Sequence, residues 1–314
     1  MDITWKNFCI IGLGNHAKNK IIPALNVSNK SISGIITSKR KDQTLNYRHF
    51  KTIEDALVNL SEDTVFFLST PPEVHNIQAR KILNYGRDVI IEKPGFIKAK
   101  DIKQITLLKN FKHNIVFEAF MYKYSLLYEK FVLFWTINNQ NIISLSSDFY
   151  IPAIPKNTFR DKNDITSSCL YDLGCYGLSL LNDIGLCIDN INVKNVTRLD
   201  GKIIKIKLGG IINGINVCTN FGISKEYKNN ITIIKKNNDI IKFWPFFKGI
   251  KETKYIEYIK KNNKQITEID DIDAFVKMFN NKRLKLMSNQ DLRFENMLVV
   301  TKKLNEIEKQ IKIS

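Results

Sequence analysis

Short apolar runs alternating with polar, helix-forming stretches dominate the first 120 residues, a pattern that predicts βαβ units on a parallel sheet. Phe8-Cys9-Ile10-Ile11 reads as a buried strand, followed by strands over 33–37, 64–69, 88–91 and 114–117. Helices are expected from about His16 and over 53–60, 73–85 and 100–109. Pro23 stands beyond the first turn of the first helix and should kink or end it, because proline has no N–H to donate. Gly86 suits a left-handed cap on the helix over 73–85.

Beyond residue 120 the periodicity changes. A helix over 126–137, a strand-like run over 142–150 and a polar loop over 152–164 precede an apolar helix over 169–183. The segments 191–198, 202–208, 210–221, 230–236 and 239–244 are β-like, and Asn237-Asn238 suits a tight hairpin because asparagine tolerates positive φ. Helices over 270–279 and 291–311 close the chain. Consecutive strands joined by short turns imply an antiparallel sheet. The expected fold is therefore α/β: an N-terminal Rossmann domain over 1–120, then a C-terminal α/β domain over 121–314 with a largely antiparallel open sheet. The last helices are available to pack back on the first domain.

Composition narrows the function classes. With 44% hydrophobic and 25% charged residues, the chain is too apolar for disorder. No apolar run approaches the roughly 18 residues of a membrane span. The start of the chain lacks the basic stretch, apolar core and small-residue cleavage site of a secretion signal, so the cytoplasm is the expected location. Five cysteines form no CxxC pair, and the four histidines show no metal-ligand spacing, so neither a disulfide framework nor a metal is expected. The net charge of +17 raises the possibility of a polyanionic partner. The lysines are nevertheless spread along the chain without any nucleic-acid-binding motif, so no nucleic-acid partner is expected.

The chemistry starts at Gly12-Leu13-Gly14-Asn15-His16-Ala17, a GxGxxA run after a strand and before a helix. The first glycine permits a tight turn and the second lets a pyrophosphate approach the backbone. The small Ala17 lets helix and strand pack closely. The helix start offers free N–H groups to phosphate. After the second strand come Ser38, Lys39 and Arg40, with no acid before Asp42 to take ribose hydroxyls. That favours a 2′-phosphate, hence NADP(H) over NAD(H). Three more segments follow strands: Ser69-Thr70-Pro71-Pro72-Glu73-Val74-His75, Glu92-Lys93-Pro94, and Glu118-Ala119-Phe120-Met121-Tyr122-Lys123-Tyr124. Carboxyl ends of strands are where open α/β sheets bind ligands. In the second half, Leu170-Tyr171-Asp172-Leu173-Gly174-Cys175-Tyr176-Gly177 puts Asp172 and Tyr176 four apart, on one face of a helix.

These motifs, in this order, resemble the Gfo/Idh/MocA oxidoreductase family of glucose–fructose oxidoreductase and inositol dehydrogenase. The resemblance covers residues 8 to about 182 by motif and the rest by strand pattern. It implies that Lys93 lies beside the nicotinamide and the reacting carbon, and that Asp172 and Tyr176 complete the acid–base set. Many members have histidine where Tyr176 stands. The chain is thus similar to the tyrosine-bearing branch, with its dihydrodiol and xylose dehydrogenases and nucleotide-sugar ketoreductases. It departs from that pattern at Thr166-Ser167-Ser168, where relatives often have glycines, and at Ser125-Leu126-Leu127, where many have His-Pro-Gln.

The expected reaction is hydride transfer to or from a sugar carbon, with a nucleotide-linked sugar among the candidates. An alkoxide formed in that step needs a positioned proton donor. A lysine ammonium beside a tyrosine favours the phenolate and stabilises an oxyanion. Tyr176 is assigned as proton donor or acceptor, Lys93 as electrostatic stabiliser and Asp172 as the group orienting a substrate hydroxyl; the first two roles are interchangeable. Tyr122 and Arg160 join the substrate candidates, Arg160 with a plain surface role as the alternative. Asn15, His16, Ser69, Thr70, Pro71 and Glu92 join the cofactor candidates, and His75 is cofactor-proximal or structural. A homodimer or homotetramer packed through the open sheet is expected. The rival functions are a dihydrodiol- or aldose-type dehydrogenase acting on a neutral polyol, and a non-catalytic dinucleotide sensor.

Overall fold

The computed structural model describes residues 4–37, 46–152, 168–261, 263–281 and 283–313. Ser38, Lys39, Arg40 and Arg160 lie outside the described residues. The chain divides into two compact units, Met1–Phe120 with Phe275–Leu298, and Met121–Ala274 with Val299–Ser314.

The first unit holds strands β1 (Asn7–Ile11), β2 (Ser31–Ile36), β3 (His49–Phe50), β4 (Val65–Leu68), β5 (Val89–Ile91) and β6 (Val116–Glu118). All pair in parallel, in the order β3-β2-β1-β4-β5-β6. The order reverses direction beside β1, which places the topological switch point at the carboxyl ends of β1 and β4. Every residue of β4 is buried, as a strand covered on both faces requires. One core cluster joins Phe66, Leu68, Ile91, Ile82 and Leu83 with Phe294 and Met297 of the helix Gln290–Ile313. Gln290 pins the start of that helix: its amide donates to the carbonyls of Phe111 (2.6 Å) and Asn114 (2.9 Å) and its oxygen accepts from Val116 N–H (3.1 Å).

Pro23 does not end the first helix. A wide turn over Ala17–Ile21, closed by Ile22 N–H to Ala17 C=O, runs straight into the α-helix Ile22–Val27 with Pro23 in its first turn. Widening the turn accommodates the missing donor without a break. Gly86 takes φ +70° and its N–H meets Leu83 C=O at 2.9 Å, the left-handed cap expected of it.

The second unit holds β7 (Ile142–Ile151), β8 (Asn192–Leu199), β9 (Lys202–Ile212), β10 (Ile215–Ile223), β11 (Lys228–Lys235), β12 (Ile240–Trp244), β13 (Thr253–Lys260) and β14 (Asn263–Asp270). Their order is β14-β13-β12-β11-β7-β10-β9-β8, antiparallel throughout except for β7 with β10. The expected break near residue 209 is absent. β9 runs through Gly209-Gly210, and the turn falls at Asn213-Gly214, with φ of +51° and +77° as a type I′ hairpin demands. A side chain on Gly210 would strike the backbone of Asn190, so this glycine serves a close approach and not a turn. The hairpin β13–β14 was not anticipated, because lysines and asparagines break up its alternation and β14 is exposed along most of its length.

Helices Leu126–Asn138 and Cys175–Asp183 pack on one face of this sheet. Phe131 meets Phe243 edge-on at 5.3 Å, and a Cβ on Gly174 would come within 2.7 Å of the Phe221 ring. The opposite face carries Asp148, Asn220 and Asn230, joined by side-chain hydrogen bonds of 2.8 and 3.1 Å, and a stacked Trp244–Tyr255 pair at 4.3 Å.

Candidate active site

In the first unit, the site is built where β1, β4, β5 and β6 end. Gly12 adopts φ +95°, its N–H donates to Ile36 C=O (2.9 Å), and a Cβ there would stand 2.7 Å from Ser69 O. No other residue type fits that turn. At Gly14 nothing lies within 4 Å of a hypothetical Cβ, so its backbone is open to a close ligand. The exposed Asn15 and His16 open the helix, and Ala17 is fully buried beneath them. An open turn leading into a helix start fits a dinucleotide pyrophosphate.

The three neighbouring loops are tied to each other. His75 is 1% exposed; its Nδ1 lies 3.0 Å from Gly95 O and its Nε2 2.9 Å from Thr70 O. Gly95 N–H in turn donates to Glu118 Oε1 at 2.7 Å. The loop holding Ser69, Thr70 and the exposed Pro71 is thereby fixed to the loop holding Glu92 and Lys93, and that loop to the end of β6. Both ring nitrogens face backbone carbonyls, and a neutral imidazole has one N–H, so His75 clamps the loops by donating to one of the two carbonyls. Burial pushes the His75 imidazole below its ordinary pKa, partly opposed by the Thr70 and Gly95 carbonyls and by Glu92. Thr70 Oγ1 donates to Gln78 Oε1 at 2.6 Å. Lys93 is half-buried and precedes a cis Pro94. Glu92 meets His16 Nε2 at 2.8 Å. Burial pushes the Glu92 carboxyl up, but the charge and hydrogen bond of His16, with Lys93 and His75, outweigh it and hold the group below the usual carboxylate range.

In the second unit, Tyr176 is 3% exposed and sits in an aromatic nest: Phe149 at 5.1 Å, Phe247 at 5.4 Å and Tyr122 at 5.6 Å between ring centroids. Its hydroxyl lies 3.8 Å from Met121 Sδ. Asp172 lies half-buried in a wide turn over Leu170–Gly174 that continues into the helix of Tyr176. Gly174 and Gly177 let that helix lie tight on β10, since a side chain on either would strike Phe221 or Thr219. Tyr122 is fully buried; burial, then Asp183 and Tyr128, push its hydroxyl well above the ordinary tyrosine range. Asp183 anchors this corner, 2.8 Å from Lys123 Nζ and accepting from Tyr128 OH at 3.2 Å. Ser125 caps the helix Leu126–Asn138 by accepting from Tyr128 N–H at 3.1 Å, which gives that departure from the relatives' His-Pro-Gln a structural reason.

The sequence motifs contain these loops and Tyr176, but they do not point to Glu118 as an anchor of Gly95 or to Phe149, Phe247 and Met121 around Tyr176. The run Trp244-Pro245-Phe246-Phe247 was the available signal for Phe247. Among the described residues, no cluster of histidine, cysteine and acidic groups suited to a metal ion occurs.

Residues 6–120 match the Gfo/Idh/MocA oxidoreductase family with its NAD-binding Rossmann fold. Oxidoreductase P35 of Formosa agariphila is 29% identical over 119 residues, covering 36% of this chain and 34% of that protein; the match thus spans about a third of the relative's length. The fold as a whole is similar to that of KijD10, a 3-ketoreductase from Actinomadura kijaniata crystallised with NADP and TDP-benzene (TM-score 0.80, 14% identity, 97% of each chain). It is also similar to an aldose–aldose oxidoreductase from Caulobacter crescentus complexed with glycerol (TM-score 0.77, 13% identity, 97% of this chain and 96% of that one).

Proposed function

We propose that this chain, whose residues 6–120 match the Gfo/Idh/MocA oxidoreductase family, is an NADP(H)-dependent oxidoreductase acting on a sugar carbon, with a nucleotide-linked sugar among the candidates. The observation that carries this reading is the open Gly14 turn standing beside a Lys93 loop held by the His75 and Glu118 anchors. A pure dinucleotide sensor has no use for a lysine so fixed, nor for a tyrosine and an aspartate on one helix.

Gly12 and Gly14 shape the pyrophosphate turn, and Ser69, Thr70 and Pro71 border the cofactor. When bound, the dinucleotide supplies or accepts the hydride. Lys93 stabilises the negative charge that develops on the substrate oxygen, and Tyr176 donates or takes up the proton. Asp172 orients a neighbouring hydroxyl. The aromatic nest around Tyr176 keeps water from its hydroxyl, which strengthens these interactions. KijD10 has also been crystallised with a lysine replaced by alanine or glutamate, and with a tyrosine replaced by phenylalanine, each with NADP and TDP-benzene. Those residue types in a protein of this fold support the assignment to Lys93 and Tyr176. The NADP preference rests on Ser38, Lys39 and Arg40 in place of an acid, and NADP in KijD10 agrees with it.

A neutral aldose or dihydrodiol is the alternative substrate, favoured by the likeness to the glycerol-bound aldose–aldose oxidoreductase. We place the protein in the cytoplasm; among the described residues no helix is long and apolar enough to cross a membrane. Its partner is a second copy of itself, docked through the sheet face that carries Trp244 and Tyr255, as dimer or tetramer. Purified protein with NADP+ or NADPH, offered nucleotide sugars, 3-keto sugars and free aldoses while nicotinamide absorbance is followed, tests the proposal. Turnover with any sugar is expected. Turnover with none, despite tight cofactor binding, would move the sensor reading to first place.

A further inference from the structure

Two of the rings against Tyr176, Phe149 and Phe247, lie far apart in sequence, and one buried asparagine stands behind both. Asn229 is 4% exposed, near the start of β11, where its backbone pairs opposite Phe149 of β7. Its side chain reaches the other wall. Oδ1 accepts from the N–H groups of Phe246 (3.0 Å) and Phe247 (2.7 Å), and Nδ2 donates to Tyr227 OH at 2.8 Å. The Asn229 carbonyl accepts from Phe246 N–H as well, at 3.0 Å. The ladder between β11 and β12 stops at Ile231 and Phe243, and Pro245 has no N–H to extend it. The Phe246 and Phe247 amides are therefore buried donors beyond the last strand pairing, and one side-chain oxygen meets both.

These bonds fix the backbone of Phe247, whose ring stands 5.4 Å from Tyr176, 5.2 Å from Phe149 and 5.2 Å from Tyr122 between centroids. Phe247 is fully buried among these rings, so a shift of its backbone passes to the groups it touches. Aromatic packing supplies the volume of the nest; the amide supplies its register, because a hydrogen bond fixes distance and direction where packing fixes only shape. Resting on the role proposed above for Tyr176, we infer that Asn229 is a positioning residue: its side-chain amide sets the Phe247 wall against which the Tyr176 hydroxyl is aimed. A misplacement of about 1 Å at a reacting group costs up to about a hundredfold in rate. Loss of the amide should therefore appear in turnover, while the dinucleotide turn, which belongs to the other unit, keeps its affinity.

The test labels the full-length protein with 3-fluorotyrosine and follows the Tyr176 fluorine resonance, identified by its loss in Tyr176→Phe. Asn229→Ala strips both amides of their side-chain acceptor, and the Tyr176 resonance is expected to move. Asn229→Asp keeps an oxygen for the two N–H groups and is expected to return the resonance toward its wild-type position. Should the alanine variant not fold, Asn229→Ser, whose shorter acceptor cannot reach both amides, gives the same readout. An unmoved resonance in the folded variant overturns the inference. Turnover is then followed with NADPH or NADP+ and whichever nucleotide sugar, 3-keto sugar or aldose the wild type uses. Asn229→Ala should lose about ten- to a hundredfold in kcat with NADPH affinity unchanged, and Asn229→Asp should recover most of it. In a Tyr176→Phe background the same substitution should cost little more, because the hydroxyl it serves is already gone. An equal loss in both backgrounds overturns the positioning role. No turnover by the wild type with any of these sugars overturns the proposed function, while the fluorine resonance still decides whether Asn229 sets the ring.

Discussion

The two units of this protein hold their candidate chemistry in different ways. In the first, Gly12, Gly14, Ser69, Thr70, Glu92 and Lys93 lie on short loops at the ends of parallel strands, and neighbouring loops are tied by polar contacts: His75 to Gly95 and Thr70, Gly95 to Glu118, His16 to Glu92. In the second, Tyr176 is held mainly by apolar packing against Phe149 on β7, Phe247 after β12 and Tyr122 before the helix Leu126–Asn138. Polar contacts demand particular residues at particular spacings, whereas aromatic packing demands only volume and shape. The family match runs over residues 6–120, within the first unit, while the likeness of the rest to solved structures is one of fold.

The largest effect is expected at the proposed chemistry. Tyr176→Phe leaves the aromatic nest filled and removes only the hydroxyl, so turnover should fall about a hundred- to ten-thousand-fold while NADPH affinity and melting temperature stay near wild type. Lys93→Ala should lose a comparable factor. Stopped-flow absorbance for turnover and calorimetry for binding check both; unchanged turnover in both variants would remove these residues from the mechanism.

Next in size is a polar exception inside the second unit. Lys254 and Asp271 form an ion pair at 2.8 Å with both side chains fully buried. Asp271 also accepts from Leu126 N–H (2.8 Å) and Ile272 N–H (2.9 Å), while Lys254 donates to Lys248 C=O (2.7 Å). Burial pulls the Lys254 ammonium below its ordinary range, and Asp271 partly restores it. Lys254→Met strands the carboxylate and should cost about 3–5 kcal/mol in urea unfolding, far more than an exposed pair would.

A smaller effect is expected at Gly12. Gly12→Ala combines φ +95° with a Cβ 2.7 Å from Ser69 O, and should cost about 2–4 kcal/mol. NADPH binding should weaken with it, and the ratio of the two losses, from calorimetry and denaturant curves, shows how far the turn serves the ligand.

The smallest expected effect separates the units in one sample. Burial pushes the thiols of Cys9 in the first unit and Cys169 in the second up to about 12, the latter aided by Asp172. At pH 8 both are protonated and shielded, so alkylation waits for local opening. NADPH should slow labelling of Cys9 several-fold more than that of Cys169. Equal slowing, read by mass spectrometry, would mean that the units open as one.

The same contrast explains what could be read from the residues alone. The parallel sheet, the Gly12 turn and the Gly86 cap announce themselves because each rests on a local rule of backbone or hydrophobic period. The hairpin falls at Asn213-Gly214 and not at Gly209, because a glycine pair in which Gly210 serves close approach to Asn190 looks like a turn in one dimension. The helix does not end at Pro23 because a widened turn over Ala17–Ile21 precedes it, and the proline rule alone does not reveal that turn. The nest around Tyr176 joins residues as far apart in sequence as Tyr122 and Phe247, and no local pattern records such a convergence.

The proposed function requires this chain to bind a phosphorylated nicotinamide dinucleotide before it acts on a sugar. The most direct measurement is a calorimetric titration of purified wild-type protein with NADPH and with NADH, after the denatured supernatant has been checked for carried-over nucleotide. Micromolar or tighter binding of NADPH with NADH clearly weaker is the predicted result. NADH binding as tight as NADPH would contradict the role given to Ser38, Lys39 and Arg40, and no binding of either, with none carried over, would contradict the account at its root.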